Sequence, residues 1–599
     1  MGSLPFVPPL EDIRFCLFDQ FDMVGSYAGI ERFSSFDRDT YDATLDEAAR
    51  IATDVLHPIN AVGDRVGCKL DADGNVTTPP GFREAWTTMA EGGWISVSAP
   101  PEVGGVGFPS LMSIAVVEQF IGAAMAFEMY PGLTAAAARV ILHHGPPHLR
   151  EGVGRKMFTG AWSGTMCLTE AGAGSDVGEN RCRATPVGDG VFHLEGEKIF
   201  ISGGDSDVAP NVVHLVLART PDSAPGTRGL SLFMVSKFDF DDALELGERN
   251  GAKVTGIEEK MGIHGSATCT LLLGADRPCK GMLVGNEHQG MELMFLMMNE
   301  ARIGVGMQGV AIASAATSYA MRYAAERNQG SDAARFRDPL APRVPISTHA
   351  DVRRNLMTMK VTSEALRSLL YRLGHRFDFA ENDPVRRAAL IGRVELLVPV
   401  LKSIATDRGF DVAAMGVQVL GGYGYIGEYP LEQLVRDIKI GSIYEGTNGI
   451  QALDLLARKM RQNNGALVQE WMTDALADIE IGKAQGFGDE ADALGKAVNA
   501  LGATAMHLGM MAMSGKLDAA LVMATPFLNL FGTVQLGLEC LDQAAVAKRV
   551  ITERGPTPHL EGKAHNLRFY VRNLLPHATA LAKIIQSGDD TCMAPGALG

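Results

Sequence analysis

The sequence lacks several patterns that would fix its class at once. Its eight cysteines include no CxxC pair, which argues against a zinc ribbon, c-type haem attachment or a dense disulfide framework. We predict no metal site. Basic residues are in the minority, with 54 Lys and Arg against 70 Asp and Glu and a net charge of −16. Nucleic-acid binding usually needs a basic surface, so that class is disfavoured, although a local basic pocket for an anionic cofactor stays compatible.

Membrane and export signals are also scarce. The longest uncharged stretch is 519–538, and it contains Pro526, Asn529 and Gln535. Polar groups are costly in lipid, so we predict a buried bundle helix with a break there rather than a membrane span. The N-terminus has neither a basic start nor a long apolar core, unlike a signal peptide. We therefore expect reduced thiols and a cytoplasmic protein.

The remaining composition is that of a globular chain. Of 599 residues, 46% are hydrophobic and 21% charged, which suffices for a large core. At roughly 150 residues per domain, this length corresponds to about four structural units.

The residue pattern that predicts secondary structure changes three times along the chain. Prolines at 5, 8 and 9 keep the start of an N-terminal arm, 1–40, out of a regular helix. Helical patterns follow; the first, 41–55, is predicted to stop at His57-Pro58. Short β-like runs then occur within 162–237, at 191–194, 198–202, 211–219 and 230–235, with turn signals between them, as in a small barrel or sandwich. Helical patterns return after Gly290, a polar and acidic stretch covers 462–490, and more helices follow at 491–550 and 564–586.

The segment from Gly422 to Gly427 spells GxGxxG. A dinucleotide fingerprint requires a strand before it and a helix after it, and alternating βαβ units are absent here. A glycine-rich turn between helices, which lets backbone approach a flat or phosphorylated group, fits better.

Two other motifs carry possible chemistry. MCLTEAGAGSD, 166–176, opens the β region; by itself it is equally compatible with a surface turn. Its amides and hydroxyls also suit a polar ring edge or a phosphate. In IYEGTNG, 443–449, a lone Glu445 is most simply a solvated side chain. In apolar surroundings its pKa would rise and it could serve as a general base.

Together these motifs resemble the acyl-CoA dehydrogenase family. MCLTEAGAGSD resembles its first signature, and LVRDIKIGSIYEGTNGIQALDLLARK resembles its C-terminal one. KIFISGG, 198–204, is similar to the flavin-contacting strand, with Phe200 where the family usually has Trp. Arg327 is followed by Asn-Gln-Gly without the usual Phe, and Ala171 replaces a usual Pro. Segments 10–19, 81–107 and 127–133 resemble the long bacterial branch, which includes 3-methylmercaptopropionyl-CoA dehydrogenase-like proteins and broad-range fatty acyl-CoA dehydrogenases.

The resemblance implies a mainly α fold with a central β domain. Five parts are expected: the arm 1–40, a helical domain 41–160, a β barrel or sandwich 161–285, a four-helix bundle with the catalytic base 286–465, and an additional helical domain 466–599.

It also implies FAD-dependent α,β-dehydrogenation of an acyl-CoA thioester to trans-2-enoyl-CoA, with Glu445 as the base for the α-proton. An electron-transferring flavoprotein is the implied acceptor and a homodimer the implied assembly. The expected FAD contacts are Met166, Leu168, Thr169, Phe200, Ser202, Arg327, Gln418, Gly421, Gly422, Thr447 and Asn448. The expected substrate contacts are Ser175, Asn299, Arg302 and Gly446.

Three alternatives remain at this stage. An acyl-CoA oxidase would use dioxygen instead of a flavoprotein acceptor, and the sequence barely distinguishes the two. A non-enzymatic, DNA-associated member of the fold is disfavoured by Glu445 and by the acidic charge. Peripheral membrane binding through 470–599 is disfavoured because no strongly basic amphipathic face is evident.

Overall fold

A computed structural model describes residues 4–597, except the side chain of Asn299. The chain divides into two compact units: unit 1 comprises 1–49, 110–118 and 305–599, and unit 2 comprises 50–109 and 119–304. The mainly helical fold with a central β domain is confirmed.

Unit 2 contains an eight-stranded sheet. Its strands are β1 Ser163–Cys167, β2 Arg183–Gly188, β3 Val191–Ser202, β4 Val212–Arg219, β5 Leu230–Ser236, β6 Ala252–Ile257, β7 Thr268–Leu273 and β8 Cys279–Val284. The order is β6-β7-β3-β8-β5-β4-β1, and β2 pairs with both β3 and β4. That double pairing closes β3, β8, β5, β4 and β2 into a ring, which is the expected barrel.

Two predicted short runs, 191–194 and 198–202, form the single strand β3. Gly196 lies between them at φ +140°, and a Cβ there would come within 2.4 Å of the Cys182 sulfur. The glycine therefore lets β3 bend past its neighbour without ending. Apolar side chains such as Phe233 fill the sheet interior.

Unit 2 also contains the helices His57–Val66, Phe82–Glu91 and Arg150–Phe158. Parts of two longer helices, Ser110–His144 and Gly290–Glu326, belong to unit 2 as well. The stop predicted at His57-Pro58 is wrong, because helical backbone runs from Arg38 to Val66. A π-helical segment, Ala52–Leu56, precedes Pro58 and changes the hydrogen-bond pattern just where proline lacks an N–H.

Unit 1 is almost entirely helical. Its arm forms Leu10–Arg14 and Met23–Tyr27, and its long helices are Ala350–Asn382, Arg387–Leu420 and Ala524–Arg554. The others are Leu431–Ile438, Asn448–Leu453, Ala466–Ala484, Gly488–Met513, Leu517–Val522, Pro558–Asn573 and Pro576–Gln586. The polar stretch at 462–490 thus contains a regular helix, Ala466–Ala484, whose Leu467 and Trp471 are buried.

The uncharged stretch at 519–538 is a buried helix interrupted at Met523, as predicted. By length and composition, one described helix, Ser110–His144, could cross a membrane. Of the residues in an apolar 18-residue stretch of this helix, 83% are buried within the protein, as in a core helix.

Buried ion pairs join the arm, the bundle and the C-terminal extension within unit 1. Arg367 lies between Asp12 and Glu118, with 2.7 Å from Nη2 to the Glu118 Oε1. Lys563 of the extension bonds Asp12 and, at 2.7 Å, Glu364. Buried charges are costly unless paired, so these pairs fix one arrangement of the arm, the 110–118 segment, the bundle and the extension.

Candidate active site

One group of predicted residues lies where β1 ends beside the end of β3, within unit 2. Met166 is the fourth residue of β1 and pairs in register with Leu215 of β4. The Ile199 amide donates to the Thr169 carbonyl at 2.9 Å, so 168–169 run alongside 199–200. The structure therefore brings Met166, Leu168 and Thr169 to the strand that carries Phe200 and Ser202.

A buried ion pair holds this segment in place. Lys198 is fully buried, and its Nζ lies 2.7 Å from the Glu170 Oε1 and 3.0 Å from the Leu168 carbonyl. Burial alone would raise the pKa of Glu170, but Lys198 and two backbone amides bring it below its usual value. Glu170 is thus a structural carboxylate that shapes the 168–170 turn.

Phe200 has an unusual conformation for an aromatic residue. Its φ is +59° and 58% of its surface is exposed, at the point of β3 where the pairing register with β7 shifts between Lys198 and Ile201. A strained, flat, apolar surface of this kind is typical of a ligand site. Ser202 follows two residues later, and the Ile199 bond brings Thr169 to the same strand. With these two hydroxyl-bearing residues, the donor set fits a flat ring with polar edges, as in a flavin.

A second group surrounds Glu445 in unit 1. Glu445 has φ +56° and Gly446 φ +85°, two consecutive left-handed residues. Thr447 caps the Asn448–Leu453 helix by accepting a bond from the Ile450 amide. The Tyr444 hydroxyl, whose pKa burial raises, donates to the Gln308 side-chain oxygen.

A polar network missed by sequence reasoning lies beneath this turn. The Lys402 Nζ donates to the Gly446 carbonyl at 2.8 Å and to the Asn448 Oδ1 at 2.9 Å. The Asn448 Nδ2 donates to the Asp407 Oδ1 at 2.8 Å, and burial raises the pKa of Asp407. The signal was available: Lys402 interrupts the apolar run LLVPVLKSIA. The predicted FAD contact Asn448 is therefore bonded into the protein through its side-chain amide.

The third group lies where the Arg387–Leu420 helix ends. Gly421, at φ +63°, caps that helix, and its amide donates to the Gln418 carbonyl. The Arg327 guanidinium lies 5.6 Å from the centre of the Tyr423 ring. The structure thus brings Arg327 to the Gly421–Gly422 turn, where a Cβ on either glycine would meet open space. A cation beside accessible backbone suits a diphosphate.

The predicted substrate residues are more scattered. Ser175 is exposed in the turn after Thr169, and Gly446 belongs to the turn at Glu445. Arg302 is buried within the Gly290–Glu326 helix, and the side chain of Asn299 lies outside the described residues. Among the described residues, no three His, Cys, Asp or Glu side chains group as a metal site would require.

Comparison with known proteins covers nearly the whole chain. Sequence models of the acyl-CoA dehydrogenase N-terminal, middle and C-terminal domains match 39–161, 165–274 and 288–460. A fourth, described as acetyl-CoA dehydrogenase C-terminal like, matches 466–595.

Two curated relatives match from end to end. The 3-methylmercaptopropionyl-CoA dehydrogenase of Ruegeria pomeroyi is 35% identical, covering 98% of this chain and 99% of the relative. The broad-specificity linear acyl-CoA dehydrogenase FadE5 of Mycobacterium tuberculosis is 35% identical, covering 97% and 98%. An acyl-CoA dehydrogenase of Bacillus anthracis, solved with FAD, shares the fold with a TM-score of 0.73 and 20% identity, covering 94% of this chain and 90% of that one.

Proposed function

Because the chain belongs to the acyl-CoA dehydrogenase family, and is therefore an FAD-dependent oxidoreductase of acyl-CoA thioesters, we propose that Glu445 is its catalytic base. The observation that carries this proposal is the turn at Glu445. A glutamate in the left-handed region is strained, and strain of this kind clusters at functional sites.

Glu445 takes the proton from the α-carbon of the thioester. That proton is only weakly acidic, so the carbonyl oxygen needs hydrogen-bond donors while the enolate forms. The Glu445 backbone N–H supplies one of them. Bound FAD would supply the acceptor for the β-hydrogen as a hydride; that redox chemistry is the cofactor's own.

The flavin-side residues bind and orient the ring. The 166–169 backbone and the Thr169 hydroxyl contact its polar edge, and Phe200 packs against it, with Ser202 alongside. Arg327, Gln418, Gly421 and Gly422 hold the diphosphate, and Thr447 and Asn448 contact FAD beyond the base. Asn299, Arg302, Ser175 and Gly446 bind the CoA thioester.

The acceptor and assembly complete the proposal. We propose an electron-transferring flavoprotein as the acceptor and a homodimer in which the diphosphate residues serve the partner's FAD. All eight cysteines are free thiols that form no disulfide, which supports a reducing, cytoplasmic setting. Peroxide release in air without another acceptor would indicate an oxidase instead, and a flavin-loaded monomer in light scattering would exclude the dimer.

Glu445→Gln tests the base. The variant should retain FAD with a normal visible spectrum, yet no acyl-CoA in a panel of linear and 3-methylthio thioesters should bleach it anaerobically. A loss of at least 1,000-fold in turnover with an artificial acceptor is expected, in line with the effect of removing a catalytic group (~10³-fold or more).

Glu428→Gln is the matched control, since Glu428 is exposed on the same helix-to-helix connection as the glycine-rich turn. It should keep wild-type turnover. Full activity in Glu445→Gln would refute the assignment.

A further inference from the structure

We propose that Lys402 is the positioning residue for Glu445, holding the carbonyl of Gly446 and so fixing the direction of the base. The inference rests on the proposed role of Glu445 and extends it to a residue outside the sequence motifs. Lys402 lies in the Arg387–Leu420 helix, 43 positions before Glu445, and none of its surface is exposed.

The turn at Glu445 needs such support. A non-glycine residue in the left-handed region costs about 1–3 kcal/mol and persists only when its surroundings enforce it. With Glu445 at φ +56° and Gly446 at φ +85°, the backbone of these two residues sets where the Glu445 side chain leaves the turn, and the Gly446 carbonyl ends the pair. A donor fixed on that carbonyl keeps the turn from relaxing.

The Lys402 ammonium group is well suited to this task. Its bond to the Gly446 carbonyl, at 2.8 Å, is charge-assisted, and such bonds are about twice as strong as neutral ones. The Gln451 Nε2 adds weaker bonds to the carbonyls of Gly446, at 3.3 Å, and Glu445, at 3.4 Å. Of the two side chains described as bonding the Gly446 carbonyl, Lys402 therefore makes the shorter bond.

The same ammonium group also anchors the helix after the turn. It bonds the Asn448 Oδ1 at 2.9 Å, and the Asn448 amide in turn bonds Asp407, at 2.8 Å, and Thr406, at 3.1 Å. Asp407 and Thr406 belong to the helix of Lys402. Both sides of Gly446 are thus tied to one rigid helix, which is the arrangement that holds a catalytic group in place.

The test separates proton transfer from redox chemistry. A 3-thia-acyl-CoA has α-hydrogens but no β-hydrogens, so the holoenzyme can only exchange its α-protons. Glu445 removes a proton from the α-carbon, the carboxyl group exchanges with D2O, and a deuteron returns to the same carbon. NMR reports the exchange rate, and dehydrogenation of an ordinary acyl-CoA gives kcat and KM.

Lys402→Met should lower both the exchange rate and kcat by about 100-fold, the size of effect that a displacement of ~1 Å produces, while KM stays within threefold. Lys402→Gln, which keeps an N–H donor without the charge, should lose about tenfold. The control is Lys459→Met, which removes another buried lysine, one that bonds Glu395 at 2.7 Å in the same unit. It should leave exchange within twofold of wild type.

Wild-type exchange in a folded, FAD-loaded Lys402→Met enzyme would overturn the proposal, as would equal losses in Lys402→Met and Lys459→Met. Should the Met variant not fold, Lys402→Gln decides, because wild-type exchange there equally overturns it. Exchange that persists in Glu445→Gln would refute the base itself, which is a separate failure.

Discussion

Lys563 and Lys402 are both fully buried lysines of unit 1, but they bond different partners. Lys563 bonds the carboxylates of Asp12 and Glu364, which come from the arm and the bundle. Lys402 bonds the carbonyl oxygens of Gly446 and Asn448 in the turn of the proposed base. A lysine that joins carboxylates from distant segments holds tertiary structure together, and one that bonds carbonyl oxygens of a turn holds local geometry.

Lys198 in unit 2 combines the two patterns. It bonds the Glu170 carboxylate and the Leu168 carbonyl, so an ion pair also shapes a turn that carries predicted FAD contacts. A buried lysine beside a left-handed or irregular segment therefore indicates a site more strongly than one within a network of carboxylates. Variants of these and related side chains can separate the two roles.

The largest expected effect on stability follows Lys563→Met. Asp12 keeps Arg367 and Glu364 keeps Lys360, but each of these buried carboxylates loses one of its two cations. Breaking a buried pair from one side costs about 3–5 kcal/mol. Calorimetry should show a clearly lower Tm, while kcat stays within threefold of wild type. The double variant Lys563→Met/Glu364→Gln should recover part of the loss, since it removes one of the two carboxylates that lost the Lys563 cation. A loss of kcat with unchanged Tm would contradict the structural role given to Lys563 in its comparison with Lys402.

A medium effect is expected where a buried group stays neutral. His214 of β4 is buried beside Thr165, and burial, aided by Lys237, lowers its pKa to about 3. A depressed histidine pKa gives stability that is complete above the unfolded pKa near 6.5 and is lost as pH falls toward 3. Between pH 6.5 and 5 the protein should therefore lose about 2 kcal/mol of its free energy of unfolding, at about 1.36 kcal/mol per pH unit.

His214→Asn should remove most of that acid sensitivity, because the amide can still bond Thr165 and does not titrate. Urea unfolding at both pH values measures the difference. His143→Asn, at an exposed position, is the control; its free energy of unfolding should change between the two pH values as that of the wild type does. Equal acid sensitivity in His214→Asn and wild type would contradict the assignment.

The smallest effect is expected at an exposed ion pair. Lys253 and Asp276 lie 3.0 Å apart, but both side chains are largely in solvent. Such pairs contribute about 0–1 kcal/mol, so Lys253→Ala should change the free energy of unfolding by less than ~0.5 kcal/mol. A change comparable to that of Lys563→Met would mean that burial does not distinguish these lysines.

Much of the fold was predictable because its signals are local. Short β-like runs marked the barrel strands β3, β4 and β5, and long apolar patterns marked helices such as Gly290–Glu326. The stop expected at Pro58 failed because a π-helical segment, invisible in the residue pattern, accommodates the proline. The helix at 466–484 lies in the expected additional helical region, although its stretch was described only as polar and acidic; its buried residues recur every four positions from Leu467 to Ile479.

The candidate site shows the same division. Glu445, the glycine turn at 421–422 and the 166–169 segment could be found because short motifs carry them. Lys402 and Lys198 could not be assigned a role, because a lysine in an apolar run has meaning only through the partner that its Nζ reaches.

The sequence by itself determined the family, the order of helical and β regions, and the residue proposed as the base, since these depend on composition, period and motif. Tertiary structure alone decided which buried charges meet, how β2 closes the barrel, and that Glu445 takes a left-handed conformation. The physical reason is distance along the chain. Asp12 and Lys563 are 551 positions apart, and Lys402 and Gly446 are 44 apart, so only folding brings each donor to its acceptor.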